Sequence, residues 1–162
     1  AGSPRGSAGD MASCVDAPLE KSFDQICKDL YRTRPEMDFF AHGIDGQGPE
    51  FKDDCARADI FHPTCHYDAL GRILLLYARL NPGIRYVQGM NDLCAPLYYL
   101  FVQDPLSGAH AEADTFFCFS LLMGDMRDVF VQALDHTEVG MLGRVHRFGE
   151  LLRAKDPEVW AH

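Results

Sequence analysis

Two short stretches of this chain carry polar side chains whose types and positions could serve chemistry. In QICKDLYRTRP, Arg32 follows an amphipathic segment, and its guanidinium can bind two anionic oxygens at once. In NPGIRYVQGMND, Gln88 lies between two apolar runs, and its side-chain amide can both donate and accept hydrogen bonds. A connector needs turn residues, but it does not need a glutamine flanked by Tyr86 and Gly89. The second stretch is thus a candidate binding loop, since loops held between rigid elements often carry functional groups.

Each stretch also has a purely structural interpretation. An arginine near a helix C-terminus complements the helix dipole and remains solvated, which would account for Arg32. A glutamine beside a helix end can satisfy backbone groups that lack helical partners, which would account for Gln88. Gly89 fits either interpretation, because glycine allows a positive φ or a close approach of the backbone to a ligand. Taken singly, Arg32 favours the structural interpretation and Gln88 leaves both open.

The hydrophobic pattern that must position these residues is helical. Apolar residues recur at helical spacing in the first segment, at Leu19, Phe23, Ile26, Cys27 and Leu30. Helices are also predicted over residues 68–80, 91–103 and 110–123, with Gly124 ending the last of them. Two further apolar stripes follow, at Met126, Val129, Phe130, Ala133 and Leu134, and at Met141, Leu142, Val145, Phe148 and Leu152. Strand periodicity is lacking, so the predicted fold class is all-α.

Two segments lack this periodicity. Residues 1–18 are rich in Gly, Ala and Ser and are predicted to be a disordered lead-in. Residues 33–65 form a long irregular connection, of a kind that is usually functional or mobile. Without the lead-in, the chain from residue 19 to residue 162 is long enough to form one domain with a sizeable core.

Composition argues against several classes of function. The chain of 162 residues has a formal net charge of −9, whereas a protein that wraps nucleic acid needs a clustered basic surface. It has no run of about 18 apolar residues, so membrane insertion is not expected, and no signal peptide is recognised at its start. The 6 cysteines are scattered singly without a CxxC pair, which is typical of a reduced, cytoplasmic protein.

One cluster has the residue types of a metal site. HPTCH contains His62, Cys65 and His66, but a further zinc ligand at suitable spacing is missing, so no metal is predicted. The alternative is a polar loop that enters a helix. A Cys–His hydrolase is disfavoured, because the surroundings of the cysteines give no reason for a lowered thiol pKa.

Together, the two polar stretches resemble a known family. Ile-x-x-Asp-x-x-Arg-Thr is followed later in the chain by Tyr-x-Gln-Gly-Met-Asn. This order of motifs resembles the TBC (Tre-2/Bub2/Cdc16) domain of Rab GTPase-activating proteins, and the resemblance covers most of the chain. The residues at the motif positions are Ile26, Asp29, Arg32, Thr33, Tyr86, Gln88, Gly89, Met90 and Asn91.

The resemblance implies an all-helical domain that accelerates GTP hydrolysis by a Rab GTPase in its GTP state. Arg32 would be an arginine finger and Gln88 a glutamine finger, and Asp29 would orient the guanidinium or tie its helix to the neighbouring loop. Tyr86 would shape that loop and contact the Rab. Supporting or Rab-contacting positions would be Ile26, Thr33, Gly89 and Arg85.

The resemblance also sets expectations about turnover, cofactors and location. The domain would be an activator without substrate turnover of its own, and it would hold no cofactor. GTP and Mg²⁺ would arrive on the partner GTPase. Neither nucleic acid nor direct membrane insertion is expected, and the expected location is cytoplasmic, with recruitment to membranes through the Rab partner.

The sequence departs from the family pattern at three places. Arg85 stands where the family usually has glycine, and Arg34 stands where it usually has phenylalanine. The aromatic-rich stretches of a C-terminal lobe are also lacking, so residues 19–162 are interpreted as the N-terminal part of the domain. An apolar face left uncovered would then pair with another chain or another segment. Two alternatives follow: a catalytically silent module that binds a GTPase or scaffold, or a helical scaffold without a GTPase partner.

Overall fold

The computed structural model describes residues 17–44, 60, 62–130 and 141–161. Its α-helices are α1 (Ala17–Leu30), α2 (His66–Leu80), α3 (Met90–Val102), α4 (Ala111–Met126), α5 (Met141–Lys155) and α6 (Pro157–Trp160). Short 3-10 turns lie at Asp38–Ala41, Gly108–His110 and Arg127–Val129. Apart from one isolated bridge between Gly43 and Cys65, the described residues contain no β-structure, and the predicted all-α class is confirmed.

α1 is amphipathic, as its pattern of apolar residues predicts. Ile26 and Leu30 are almost completely buried, and the helix packs against α2. Ala17 and Pro18, at the end of the predicted lead-in, form the first turn of α1. The rest of that lead-in, residues 1–16, lies outside the described part of the chain.

α2 is the central helix of the described structure. It packs against α1, α3 and α4, and its apolar residues are buried on more than one face. It begins at His66, two residues before the predicted start, because the Asp68 carboxylate accepts hydrogen bonds from the backbone of Thr64 (3.0 Å) and Cys65 (3.2 Å). A carboxylate in the first turn satisfies donors that the helix itself cannot use and complements the dipole.

α4 packs alongside α2, with contacts distributed along both helices. Arg72 of α2 donates from Nε to the Glu112 carboxylate at 2.8 Å, and the rings of Tyr77 and Phe119 meet edge to face at 5.1 Å. Contrary to prediction, Gly124 does not end α4. The helix continues to Met126, because a glycine inside a helix costs only about 1 kcal/mol.

The final apolar stripes have different outcomes. Over the described part of the first stripe, residues 126–130, α4 gives way to the 3-10 turn at Arg127–Val129. The rest of that stripe, Ala133 and Leu134, lies outside the described residues. The second does form α5, but Leu142, Val145 and Phe148 are exposed. Within the described residues α5 packs on α6, where the Trp160 ring covers Gly149. No helix among the described residues has the length and apolar character that crossing a bilayer requires.

Candidate functional site

The turn after α1 holds Arg32 at the surface and buries its neighbour. The Arg32 amide donates to the Asp29 carbonyl at 3.0 Å, and the Thr33 amide donates to the Leu30 carbonyl at 3.0 Å. The Thr33 hydroxyl donates to the same Asp29 carbonyl at 2.9 Å, and Thr33 is fully buried. These bonds satisfy carbonyls that the last turn of a helix leaves without partners, so the backbone that carries Arg32 is fixed.

The loop between α2 and α3 holds Gln88 in a similar way. Gly89 has φ 99°, a left-handed conformation that glycine adopts without steric cost. Its amide donates to Asn91 Oδ1 at 3.2 Å, and the Met90 amide donates to the Val87 carbonyl at 3.1 Å. Gln88 therefore lies on a tight turn that leads directly into α3, with its side chain exposed.

A buried hydrogen-bond network joins these two segments. Tyr86 Oη donates to Asp29 Oδ2 at 2.7 Å and lies 3.1 Å from Asn91 Oδ1. Asn91 Nδ2 donates to Thr33 Oγ1 at 2.9 Å. Residues beside Arg32 are thus bonded directly to residues beside Gln88. We name this set of four residues, Asp29, Thr33, Tyr86 and Asn91, the Asp29–Tyr86 network.

Burial favours the neutral form of the Tyr86 phenol. It raises the pKa of Tyr86 well above the ordinary value of 10.0, and the hydrogen bond to Asp29 acts in the same direction. The hydroxyl therefore remains protonated at neutral pH and acts as a donor. The other carboxylate oxygen of Asp29 accepts from Gln25 Nε2 at 2.9 Å, so both oxygens have partners.

The candidate finger residues lie outside this network. Arg32 and Gln88 are both exposed, and neither side chain has a hydrogen-bond or ion-pair partner in the part of the chain that the structure describes. Asp29 was expected either to orient the Arg32 guanidinium or to tie α1 to the loop. Its carboxylate bonds to Tyr86 and Gln25 rather than to Arg32. The candidate finger side chains are thus unobstructed above a rigid base.

The backbone conformation bears on the first departure from the family pattern. Arg85 has φ 61°, a left-handed conformation that favours glycine. This explains why glycine suits the position, and it means that Arg85 carries backbone strain. Arg34 also has a positive φ, at 47°. Ile26, a motif residue predicted as supporting, is fully buried in the core beneath the site.

Sequence reasoning missed two contributors to the site. Gln25 bonds to Asp29 from one helical turn away, and its spacing of four residues along α1 could have indicated this pair. Tyr67 of α2 donates to the Thr33 carbonyl at 2.8 Å. That contact spans 34 residues of chain, and no local pattern signals it.

The HPTCH segment is used for packing and helix initiation. His66 stacks on Phe39 with ring centroids 4.1 Å apart, and its Nδ1 lies 2.9 Å from the Tyr98 hydroxyl. Burial raises the pKa of Cys65 to about 11, which keeps the thiol protonated at neutral pH. Among the described residues, no group of three or more side chains is arranged to hold a metal ion.

An all-helical fold that rigidly joins an Ile-x-x-Asp-x-x-Arg-Thr segment to a Tyr-x-Gln-Gly-Met-Asn loop has the features of a TBC domain. The chain belongs to the Rab-GTPase-TBC domain family, whose pattern matches residues 51–162. That range includes the Gln88 loop and begins after Arg32.

Curated relatives agree with this family. TBC1 domain family member 13 of Homo sapiens is 48% identical over 97 residues, which cover 59% of this chain and 24% of that protein. GTPase-activating protein GYP7 of Yarrowia lipolytica is 28% identical over 142 residues, covering 85% of this chain and 18% of that protein. GTPase-activating protein GYP1 of Saccharomyces cerevisiae is 28% identical over 115 residues, covering 59% and 17% respectively. The chain thus spans a quarter or less of these relatives.

Proposed function

We propose that this chain activates a Rab GTPase, and that Arg32 and Gln88 act in trans on the GTP held by the partner. The observation that carries this proposal is the Asp29–Tyr86 network. It bonds the residues beside Arg32 to those beside Gln88 and leaves both side chains exposed. Membership of the TBC family supports the class of partner.

Phosphoryl transfer from GTP explains why these two residue types are needed. The reaction requires stabilisation of charge on the transferring phosphoryl group and orientation of the attacking water. The planar guanidinium of Arg32 can contact two phosphoryl oxygens, which a lysine ammonium cannot do equally well. The amide of Gln88 can accept a hydrogen bond from the water and donate one to a phosphoryl oxygen. An arginine supplied in trans contributes roughly 10³ to 10⁵ in rate, or about 4 to 7 kcal/mol.

The rigid base matters because a small displacement of a catalytic group is costly. A misplacement of about 1 Å can reduce a rate by about 10²-fold. The network therefore acts on catalysis by positioning, since Asp29 is buried and the Tyr86 hydroxyl is directed inward to it rather than toward the nucleotide. GTP and Mg²⁺ are brought by the GTPase, and the chain itself needs no cofactor for this role.

Single-turnover GTP hydrolysis tests the proposal. A panel of GTP-loaded Rab proteins is mixed with the wild-type chain, Arg32→Ala or Gln88→Ala, with Arg79→Ala as a matched control for loss of an exposed arginine. We expect acceleration of at least one Rab, unchanged by Arg79→Ala and reduced by about 10² or more by either finger substitution. Binding of a GTP-loaded Rab without acceleration would instead favour the catalytically silent module.

A further inference from the structure

A groove beside the Gln88 loop has a different charge from the chain as a whole. It has a volume of about 410 Å³ and lies between the start of α1 and the loop. Its walls are formed by Ile84, Arg85 and Tyr86 from the loop and by Ala17, Pro18, Lys21, Ser22 and Gln25 from α1. We name it the Lys21–Arg85 groove.

Among the described residues that line the groove, both charged side chains are cations. Lys21 is exposed and Arg85 is half-buried, and none of these described lining residues is an aspartate or glutamate. Arg85 Nε donates to the Pro82 carbonyl at 3.2 Å, which steadies the guanidinium. Within the described residues, neither cation forms an ion pair. On a chain of net charge −9, this groove is a local site of attraction for negative charge.

The groove adjoins the Asp29–Tyr86 network. Tyr86 lines the groove and bonds to Asp29, and Gln25 lines it and bonds to the same carboxylate. Gln88 follows Tyr86 by two residues on the same loop. A protein partner whose nucleotide is reached by Gln88 would therefore also cover the groove. The volume suits a short segment with one or two side chains rather than a folded element.

We propose that the Lys21–Arg85 groove binds an acidic segment of the partner GTPase and thereby helps to select which GTPase is activated. This inference rests on the proposed function for the identity of the partner. Charge complementarity across an interface raises the association rate and penalises partners with the wrong charge. Arg85, which differs from the usual glycine, would then provide a contact that most members of the family lack.

The test measures how tightly the chain binds Rab proteins loaded with a non-hydrolysable GTP analogue. Lys21→Glu/Arg85→Glu is compared with Arg153→Glu/Lys155→Glu, which makes the same change in net charge at two exposed positions of α5. For the Rab that wild type binds, we expect the groove variant to raise the Kd by about tenfold or more and the control by less than about twofold. The loss should shrink as salt is raised, since screening weakens charge contacts.

A second variant separates charge from backbone effects. Lys21→Gln/Arg85→Gly removes both charges and places glycine at a position with φ 61°, where it is unstrained. We expect this variant to fold and to bind more weakly than wild type, with a flatter dependence of the Kd on salt. Binding equal to that of wild type, with the same salt dependence, would overturn the proposal.

Measurements of Rab binding and of GTP hydrolysis distinguish failure of the groove inference from failure of the proposed function. If Rab binding depends on Lys21 and Arg85 but hydrolysis is not accelerated, the groove inference stands and the activator function fails. If hydrolysis is accelerated but the groove variants bind like wild type, the activator function stands and the groove inference fails. If none of the GTP-loaded Rab proteins is bound, both fail.

Discussion

The hydroxyl of Tyr86 is the residue-scale link between the two motifs. It donates at 2.7 Å to Asp29, which is only 3% exposed, and it therefore supplies one of the few partners available to a buried carboxylate. A buried acceptor that loses its partner keeps the cost of desolvation without compensation. The bond thus contributes to stability as well as to the position of the Gln88 loop.

Tyr86→Phe is expected to lower the free energy of unfolding by about 2 to 3 kcal/mol, because hydrogen bonds to charged groups lie at the upper end of the usual range. Tyr98→Phe is the matched control, since its hydroxyl is also buried but faces the ring of His66. That control should cost about 1 kcal/mol. Urea denaturation of both variants checks the ranking, and equal small losses would show that the Asp29 bond contributes little.

The backbone strain at Arg85 should lower the stability of the protein. Arg85→Gly should raise the free energy of unfolding by about 1 kcal/mol, because a left-handed conformation is costly for any residue except glycine. Arg79→Gly, within α2, should lower it by about 1 kcal/mol. Thermal melts of both variants show whether each substitution raises or lowers the melting temperature. A lower melting temperature for Arg85→Gly would contradict the assignment of strain.

Protonation of His66, at the start of α2, is coupled to folding. Burial lowers the pKa of His66 below its ordinary value of 6.5, and repulsion from His42 acts in the same direction. The unfolded chain therefore takes up this proton at a higher pH than the folded chain. Stability linked to His66 is present above about pH 6.5 and is lost as the pH falls through that value.

Denaturant unfolding at pH 7.5 and pH 5.5 measures this linkage. Wild type should lose up to about 1.4 kcal/mol more than His66→Gln over this interval, since Gln cannot bind the proton. If His66→Gln showed the full wild-type loss, another group would be responsible for the pH dependence.

Helical periodicity predicted most elements but not all of their ends or environments. The stripe of α1 and the apolar run of α2 predict helices correctly, because helical periodicity can be read within a single segment. α4 continues past Gly124 to Met126, since the cost of about 1 kcal/mol for a helical glycine is too small to end a packed helix by itself. The α5 stripe was recognised as helical, yet Phe148 is 65% exposed, because the pattern reveals an apolar face but not what covers it.

The described part of the chain has its core where α2 meets α1, α3 and α4. Two phenylalanines on α4 illustrate how sharply that core is bounded: Phe119 is 0% exposed and Phe117 is 66% exposed. Phe119 meets the Tyr77 ring at 5.1 Å. Burial in this core, rather than the residue type or the helix that carries it, should determine how far a substitution lowers the free energy of unfolding.

Phe119→Ala is expected to lower the free energy of unfolding by about 3 to 5 kcal/mol, because it removes buried surface and leaves a cavity. Phe117→Ala should change it by no more than about 0.5 kcal/mol. Both variants replace the same residue type within one helix, so helix propensity cancels in the comparison. Similar losses in urea denaturation would mean that the exposed face of α4 is covered in solution.

The candidate site was predictable as two motifs but not as one assembled unit. Arg32 and Gln88 were named from residue type, spacing and the TBC resemblance. The bond between Tyr86 and Asp29 joins residues 57 positions apart, and that between Asn91 and Thr33 joins residues 58 apart. Contacts of this range depend on how helices pack, which local patterns do not encode. The cationic groove likewise arises only when α1 and the loop are brought together.

In the proposed mechanism Gln88 orients the attacking water, a task that a GTPase's own glutamine performs elsewhere. The most direct measurement is single-turnover hydrolysis by a Rab whose own catalytic glutamine is replaced by alanine. Wild type should still accelerate this Rab, whereas Gln88→Ala should lose about 10² or more of that acceleration. If wild type accelerated only a Rab that retains its glutamine, and Gln88→Ala did so equally well, the glutamine-finger mechanism would be contradicted.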